Sequence, residues 1–379
     1  MSTPAASGAR PFNSVGVVGC GLIGGSLALA AAAAGVSEVA VTDRDPRVLA
    51  AARERGVGAV LERVEQVAAS AELVVLAVPV ADIPAAARQV LPAVAPGTIV
   101  TDVGSVKARV LREVEGYLAD LRASEGVDVE FIGGHPMAGS ERAGLAGAQP
   151  TLFQGATYVL TPSRSASAEA FHRLAAFLRL VGARVLAVDA DTHDRLVGVV
   201  SHLPQAIASA LMAFAATTAR DDPGLLTMAG GGFRDATRVA ASDPDLWTGI
   251  LEENRSAVLD AIDGFDAALR RLRSALAAGD RKVVRATLAQ GLAGRMLLPG
   301  KVVRETLVDL VIPVADRPGS LADVTTALGA EGINIEDVSM RHAEEGDRGA
   351  LVIAVGAGAA ELARDVLAAR GFRSHLQTR

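Results

Sequence analysis

A chain of 379 residues and 38.7 kDa, half of it hydrophobic and with a mean hydropathy of +0.33, has material for two or three cored domains. Its net charge of -6 and isoelectric point near 5.6, with arginines scattered along the chain, exclude the basic surface that nucleic acid requires. The single cysteine, Cys20, excludes an intrachain disulfide framework, and six histidines with neither Cys/His clusters nor an HExxH pair argue against a metal centre.

In chain order, residues 1–11 are small and polar and read as a disordered lead-in. Residues 15–36 carry no charge, a length sufficient to span a bilayer. Gly16, Gly19, Gly21, Gly24, Gly25 and Gly35 divide this stretch into a β-branched run and an alanine-rich run, which predicts a buried strand, a turn and a buried helix instead of an anchor or signal. The expected setting is cytoplasmic. Short β-branched runs then alternate with helical runs, with strands predicted at 14–18, 38–42, 73–78, 98–102, 129–132, 157–161 and 184–188. Continuous apolar strands separated by helices mean a mostly parallel sheet covered on both faces, an α/β domain over residues 12–188.

Helical periodicity without strand-like runs follows over residues 189–300, predicting an all-helical domain. Asp191 or Thr192 can cap its first helix, with Leu196, Val199 and Val200 at helical spacing and Pro204 kinking it. A segment this apolar packs on another copy or on the first domain, and homodimerisation through it is expected. Residues 304–379 then read as strand 307–314, helix 319–330, strands 333–341 and 349–355, helix 359–369 and strand 372–376. That order is βαββαβ, the ferredoxin-like arrangement.

Gly19-Cys20-Gly21-Leu22-Ile23-Gly24 follows a predicted strand and opens a predicted helix, the context in which GxGxxG signals a Rossmann-type dinucleotide turn. Gly19, Gly21 and Gly24 allow a tight turn, a close backbone approach to pyrophosphate and close helix packing. Leu22 and Ile23 begin the helix whose N-terminus would face the phosphates. Asp43, at the end of the second strand, would take the ribose hydroxyls and disfavour a 2′-phosphate, which predicts NAD; Arg44 and Arg47 just beyond it are the residues that could instead admit NADP.

Oxidising a hydroxyl with NAD also needs a base and a grip on the substrate. Gly133-Gly134-His135-Pro136 offers an imidazole on backbone that the glycines and proline predict to be a loop, at the carboxyl edge of the sheet. Ser105, on the loop after the strand ending at Asp102, can orient nicotinamide and substrate, or cap the next helix. Arg234 and Arg238, at i and i+4, would share a helix face suited to a carboxylate.

Taken with Asp102-Val103-Gly104-Ser105-Val106-Lys107, Gly134-His135-Pro136-Met137-Ala138-Gly139 with Glu141, His193-Asp194, Ser201-His202-Leu203-Pro204, residues 233–238 and Asp243-Pro244-Asp245-Leu246-Trp247, the chain from residue 12 to about 300 closely resembles the prephenate dehydrogenase family. The resemblance implies an oxidative decarboxylation to 4-hydroxyphenylpyruvate, with His135 accepting the hydroxyl proton, Ser105 orienting His135 and the substrate, and Arg238 gripping a substrate carboxylate. It places Glu141, His193 and Trp247 around the substrate. Many prephenate enzymes carry a second histidine where this chain has Gln205, near the substrate side chain, so arogenate, the corresponding amino acid, is the alternative substrate. The C-terminal unit resembles an ACT domain through residues 316–321 and 332–335, which implies feedback control by tyrosine, with Gly319 and Asn334 as candidate contacts. A 3-hydroxyacid dehydrogenase or imine reductase, and a non-catalytic ligand sensor, are the competing classes.

Overall fold

Residues 10–139, 142, 144–222, 224–298, 307–315, 320–342 and 348–378 are described by the computed structural model. The lead-in through residue 9, Glu141 and residues 316–319 lie outside the described residues. Two units divide the chain, Met1–Arg271 and Leu272–Arg379.

The first unit begins with β1 (Ser14–Val18), α1 (Leu22–Ala33), β2 (Glu38–Thr42), α2 (Pro46–Arg55), β3 (Ala59–Val60), α3 (Val64–Ala69), β4 (Leu73–Leu76), α4 (Ile83–Val90), β5 (Thr98–Asp102), α5 (Ala108–Glu125), β6 (Val129–Pro136), β7 (Thr157–Pro162), α6 (Ala168–Leu180) and β8 (Arg184–Ala187). The strands form one sheet in the order β3-β2-β1-β4-β5-β6-β7-β8. Every residue of β4 is fully buried, as a strand covered on both faces must be, and separate apolar cores built on Val17, Leu27 and Phe177 and on Val74, Ile83 and Leu118 cover the two sides. The strand order reverses between β1 and β4, which opens a crevice at their carboxyl ends where ligands of such sheets bind.

One sequence expectation fails here, because Gly133 to Pro136 are strand and not loop. β6 outruns its parallel partner β5 and continues antiparallel to β7, with His135 opposite Val159 and Pro136 opposite Tyr158. The glycines serve space, not turning. A Cβ on Gly133 would lie 2.4 Å from Thr161 Oγ1, and one on Gly134 would lie 2.6 Å from the Asp102 carbonyl.

Helices α7 (Ala190–Val197), α8 (Leu203–Thr218), α9 (Gly231–Thr237), α10 (Pro244–Glu253) and α11 (Arg255–Ala277) follow. Asp189, not Asp191 or Thr192, caps α7, accepting the Thr192 N–H at 2.9 Å. The predicted kink at Pro204 is a π-helical turn, Gly198–His202, joining α7 to α8, since a proline cannot donate to the preceding turn. Leu196, Val199 and Val200 do not pack on the α/β layer; they stand outward with Phe214, at 45%, 52%, 65% and 71% exposure. By length and composition alone, the helical run Ala190–Thr218 could cross a membrane.

The second unit contains α12 (Arg281–Arg295), β9 (Leu307–Ala315), α13 (Ser320–Ala330), β10 (Asp337–His342), β11 (Arg348–Gly356), α14 (Ala357–Ala369) and β12 (His375–Thr378). Its antiparallel sheet runs β10-β11-β9-β12 over a core of Leu310, Ile312, Leu328, Ile353 and Leu367. This is the βαββαβ order read from the sequence. Two strands start later than predicted, for the same reason: after Gly332 (φ 69°) and Gly371 (φ 83°), Ile333 and Phe372 bond back to the carbonyls of Leu328 and Leu367 and finish helices before a strand can begin.

Candidate active site

The glycine turn is built as its spacing predicts. Gly19 (φ 96°) donates to the Thr42 carbonyl at 2.8 Å, and a Cβ there would lie 2.4 Å from the Ala77 carbonyl. On Gly24 a Cβ would stand 2.0 Å from the Gly19 carbonyl, so this residue lets α1 pack on the turn. Gly21 is different: a Cβ there meets no described atom within 4 Å, and Gly21 is the N-cap of α1 with no side-chain cap. The space beside Gly21 at the uncapped N-terminus of α1, where Leu22 and Ile23 begin the helix, is therefore open and suits a pyrophosphate. Asp43 is tied to the turn, its carboxylate accepting from the Cys20 N–H at 2.7 Å and the Asp45 N–H at 2.9 Å. Arg44 pairs with Asp82 and Arg47 with Asp45, both at the surface. Burial, then the Asp43 charge, pushes the Cys20 thiol up to about 11, which leaves it unreactive. Two substitutions separate cradle from packing: Gly21→Ala should keep the thermal midpoint and weaken dinucleotide binding by about tenfold or more, roughly 1.4 kcal/mol, whereas Gly24→Ala should lower the midpoint itself. Equal behaviour of the two variants in calorimetry and in dinucleotide titration would refute the distinction.

At the carboxyl ends of β5 and β6 lies a buried polar cluster that the sequence reading did not assign. Asp102 is fully buried; its carboxylate accepts from the Gly104 N–H at 2.9 Å, the Gly134 N–H at 3.0 Å and the Lys107 ammonium. Lys107 Nζ also donates to the Gly134 carbonyl at 2.8 Å. The residue preceding His135 is thus held through both its backbone groups. Ser105 sits half-buried on the same loop but does not cap α5, whose N-cap is Lys107; the cap comes from Asp194, which accepts the Lys107 N–H at 2.7 Å and the Ala108 N–H at 2.8 Å.

That capping fixes what lies beside it. His193 Nδ1 is 2.7 Å from Asp194 Oδ1, and His193 Nε2 is 2.9 Å from His135 Nδ1, the two rings meeting edge to face. His135 is 9% exposed and His193 2%. Burial above all, then the His193, Lys107 and His202 charges, holds the His135 imidazole well below its ordinary protonation range, so it stays a neutral acceptor at physiological pH.

Asn254 Nδ2 joins the Asp194 carbonyl (2.8 Å) to His202 Nδ1 (3.0 Å). His202 meets Trp247 edge to face at 6.0 Å; Asp243 puts that tryptophan in the first turn of α10 by capping the Asp245 and Leu246 N–H groups. Trp247 and Gln205 line a cavity of about 440 Å³ with Ser209, Ala240 and Leu251. Gln205 is 4% exposed; Nε2 reaches Ser209 Oγ at 3.4 Å, while Oε1 has no described donor. Arg234 and Arg238 do not share one helix face, because α9 ends at Thr237 and Arg238 opens a 3-10 turn, exposed to solvent. Asn334 lies before β10 with its amide on Glu336.

Burial pushes His202 down to about 4 from an ordinary 6.5. Between those values the unfolded chain binds the extra proton, so stability falls as pH drops from 6.5 toward 4 and this contribution is fully present above 6.5. In His202→Gln that part of the decline should disappear from urea midpoints measured against pH; an unaltered slope would assign the loss to other groups.

Signals for the unassigned residues were present in the sequence: Lys107 and Asp102 bracket the GSV loop, and Asp194 adjoins His193. Only the fold reveals that they meet. The family model for the prephenate dehydrogenase nucleotide-binding domain matches residues 27–187, that for its dimerization domain 189–290, and the ACT domain model 308–369. The prephenate dehydrogenase of Lactococcus lactis is 33% identical over 82% of this chain and 85% of its own length. The A. aeolicus prephenate dehydrogenase, solved with hydroxyphenyl propionate and NAD+, superposes with a TM-score of 0.68 at 29% identity, covering 77% of this chain and 99% of that one. Synechocystis arogenate dehydrogenase gives 0.64 at 29% identity, over 75% and 99%.

Proposed function

The chain belongs to the prephenate dehydrogenase family, and on that premise we propose that it oxidises and decarboxylates prephenate to 4-hydroxyphenylpyruvate with NAD. The observation that carries this reading is a neutral, buried His135 at the sheet edge that also bears the open glycine turn. Bound NAD supplies the acceptor for the hydride leaving the ring carbon. His135 takes the proton of the hydroxyl on that carbon, Ser105 orients the hydroxyl and the nicotinamide amide, and Arg238 holds a substrate carboxylate by its planar fork. The family resemblance assigns Glu141 to the substrate as well. Loss of carbon dioxide leaves an aromatic ring, which makes the step irreversible. Asp43 takes the ribose hydroxyls, and Arg44 and Arg47 remain with their acids.

Trp247 and Gln205 receive the substrate side chain in their shared cavity. The undonated Oε1 of Gln205 favours a second reading, since it can accept from an ammonium group: arogenate, converted to tyrosine directly. The domains are a nucleotide-binding domain at 12–188, a helical domain at 189–300 that joins two copies through the outward face of α7 and α8, and an ACT domain at 304–379 that binds tyrosine near Gly319 and Asn334 for feedback. The enzyme works in the cytoplasm. Mixing the purified protein and NAD with prephenate or arogenate in turn, with and without tyrosine, tests each part through absorbance of the reduced cofactor. Reduction with neither substrate overturns the assignment; faster reduction with arogenate selects the second reading.

A further inference from the structure

We propose that Asp194 and His193 lock His135 into its Nδ1–H tautomer, so that His193 is a positioning residue for the base and not a substrate ligand. The proposal rests on the reading of His135 as proton acceptor and supplies what that reading lacks, a reason why the correct ring nitrogen is bare.

Carboxylate oxygens only accept. Asp194 cannot turn away from His193, because its two oxygens are also claimed by the Lys107 and Ala108 N–H groups at the start of α5, at 2.7 and 2.8 Å. The nitrogen 2.7 Å from it, His193 Nδ1, therefore carries a hydrogen. A neutral imidazole has one N–H, so His193 Nε2 is an acceptor, and its partner at 2.9 Å, His135 Nδ1, is the donor. His135 Nε2 is left with a lone pair, and no described residue donates to it.

As the substrate O–H bond breaks, the proton forms a new N–H bond at His135 Nε2 and the ring becomes an imidazolium. Its Nδ1–H already points at His193 Nε2, backed by the Asp194 carboxylate, so the new charge has a polarised partner in a site where burial otherwise opposes it. With the opposite tautomers, Nε2–H would face the hydroxyl and no proton could be taken.

The test reads the tautomer directly. In long-range proton–nitrogen NMR spectra of the full-length protein labelled at histidine nitrogens, at pH 8 and without substrate, His135 and His193 should each show a protonated Nδ1 and a bare Nε2, with His135→Asn and His193→Gln identifying the signals. A protonated Nε2 on His135 overturns the proposal, whatever the activity; a protein inactive on both substrates could still show the expected tautomers, so the two failures are distinguishable. Kinetics give a second arm, independent of assignments. His193→Gln keeps a carbonyl acceptor for Nδ1–H and should lose less than about tenfold in kcat, whereas His193→Leu should lose about a hundredfold with KM unchanged. A raised KM with kcat intact in both variants would make His193 a substrate ligand, and equal kcat losses in both would show that no acceptor for Nδ1–H is needed.

Discussion

Replacing His135 with asparagine is expected to leave a folded protein that binds NAD and turns over at least about a hundredfold more slowly. The fold survives because the new side chain would keep the strand position opposite Val159, and its amide can donate to His193 Nε2 as the imidazole Nδ1–H does. What it lacks is a bare nitrogen able to take a proton. Initial rates of cofactor reduction, NAD titration and circular dichroism together decide the matter. Turnover within a few-fold of the parent, in a protein that still binds NAD, would sink the assignment of His135. The same burial that keeps the ring neutral moves the acid limb of kcat/KM well below pH 6.5, since protonation is needed to disable the base and protonation is what burial opposes.

Lys107→Met should destabilise the protein by about 3–5 kcal/mol, the cost of leaving a buried carboxylate without its ion partner. Asp102 is wholly buried and Lys107 almost so, and with the ammonium gone the donors left to Asp102 among the described residues are the Gly104 and Gly134 N–H groups. Burial drives the Lys107 ammonium below its ordinary protonation range despite the pull of Asp102. A Lys107→Met/Asp102→Asn double variant should recover part of the loss, because the uncompensated charge is then gone. Urea unfolding of the three proteins measures it; a single-variant loss below about 1 kcal/mol would mean that water reaches the pair. Turnover should fall as well, since Lys107 and Asp102 hold both backbone groups of Gly134, the residue before the base.

Much of this was legible in the sequence, and the failures share a cause. Strand and helix order followed from apolar periodicity, and the glycine turn from spacing, because both are local signals. His135 stands out in the sequence as a candidate base, but its backbone does not follow local propensity: Gly-Gly-His-Pro signals a loop, and only β7, from across the sheet, makes it a strand. Asp194 adjoins His193 in sequence, but its capping of α5 is a contact across more than eighty residues, which local pattern does not specify. Arg234 and Arg238 were placed on one face by counting, and the helix ended between them.

The π-helical turn before Pro204 has an angular consequence. His193 and His202 are nine positions apart, and in an unbroken α-helix nine steps of about 100° would aim them to opposite sides. The wide turn absorbs one residue, which brings His202 round to within about 80° of His193. Asn254 can then bridge it to the Asp194 carbonyl. The azimuth of the cavity wall relative to the base is therefore set by residue count and by a missing proline N–H: a one-residue deletion within Gly198–Ser201 would leave His193, His202, Gln205 and Asn254 in the chain and still swing His202 and Gln205 away.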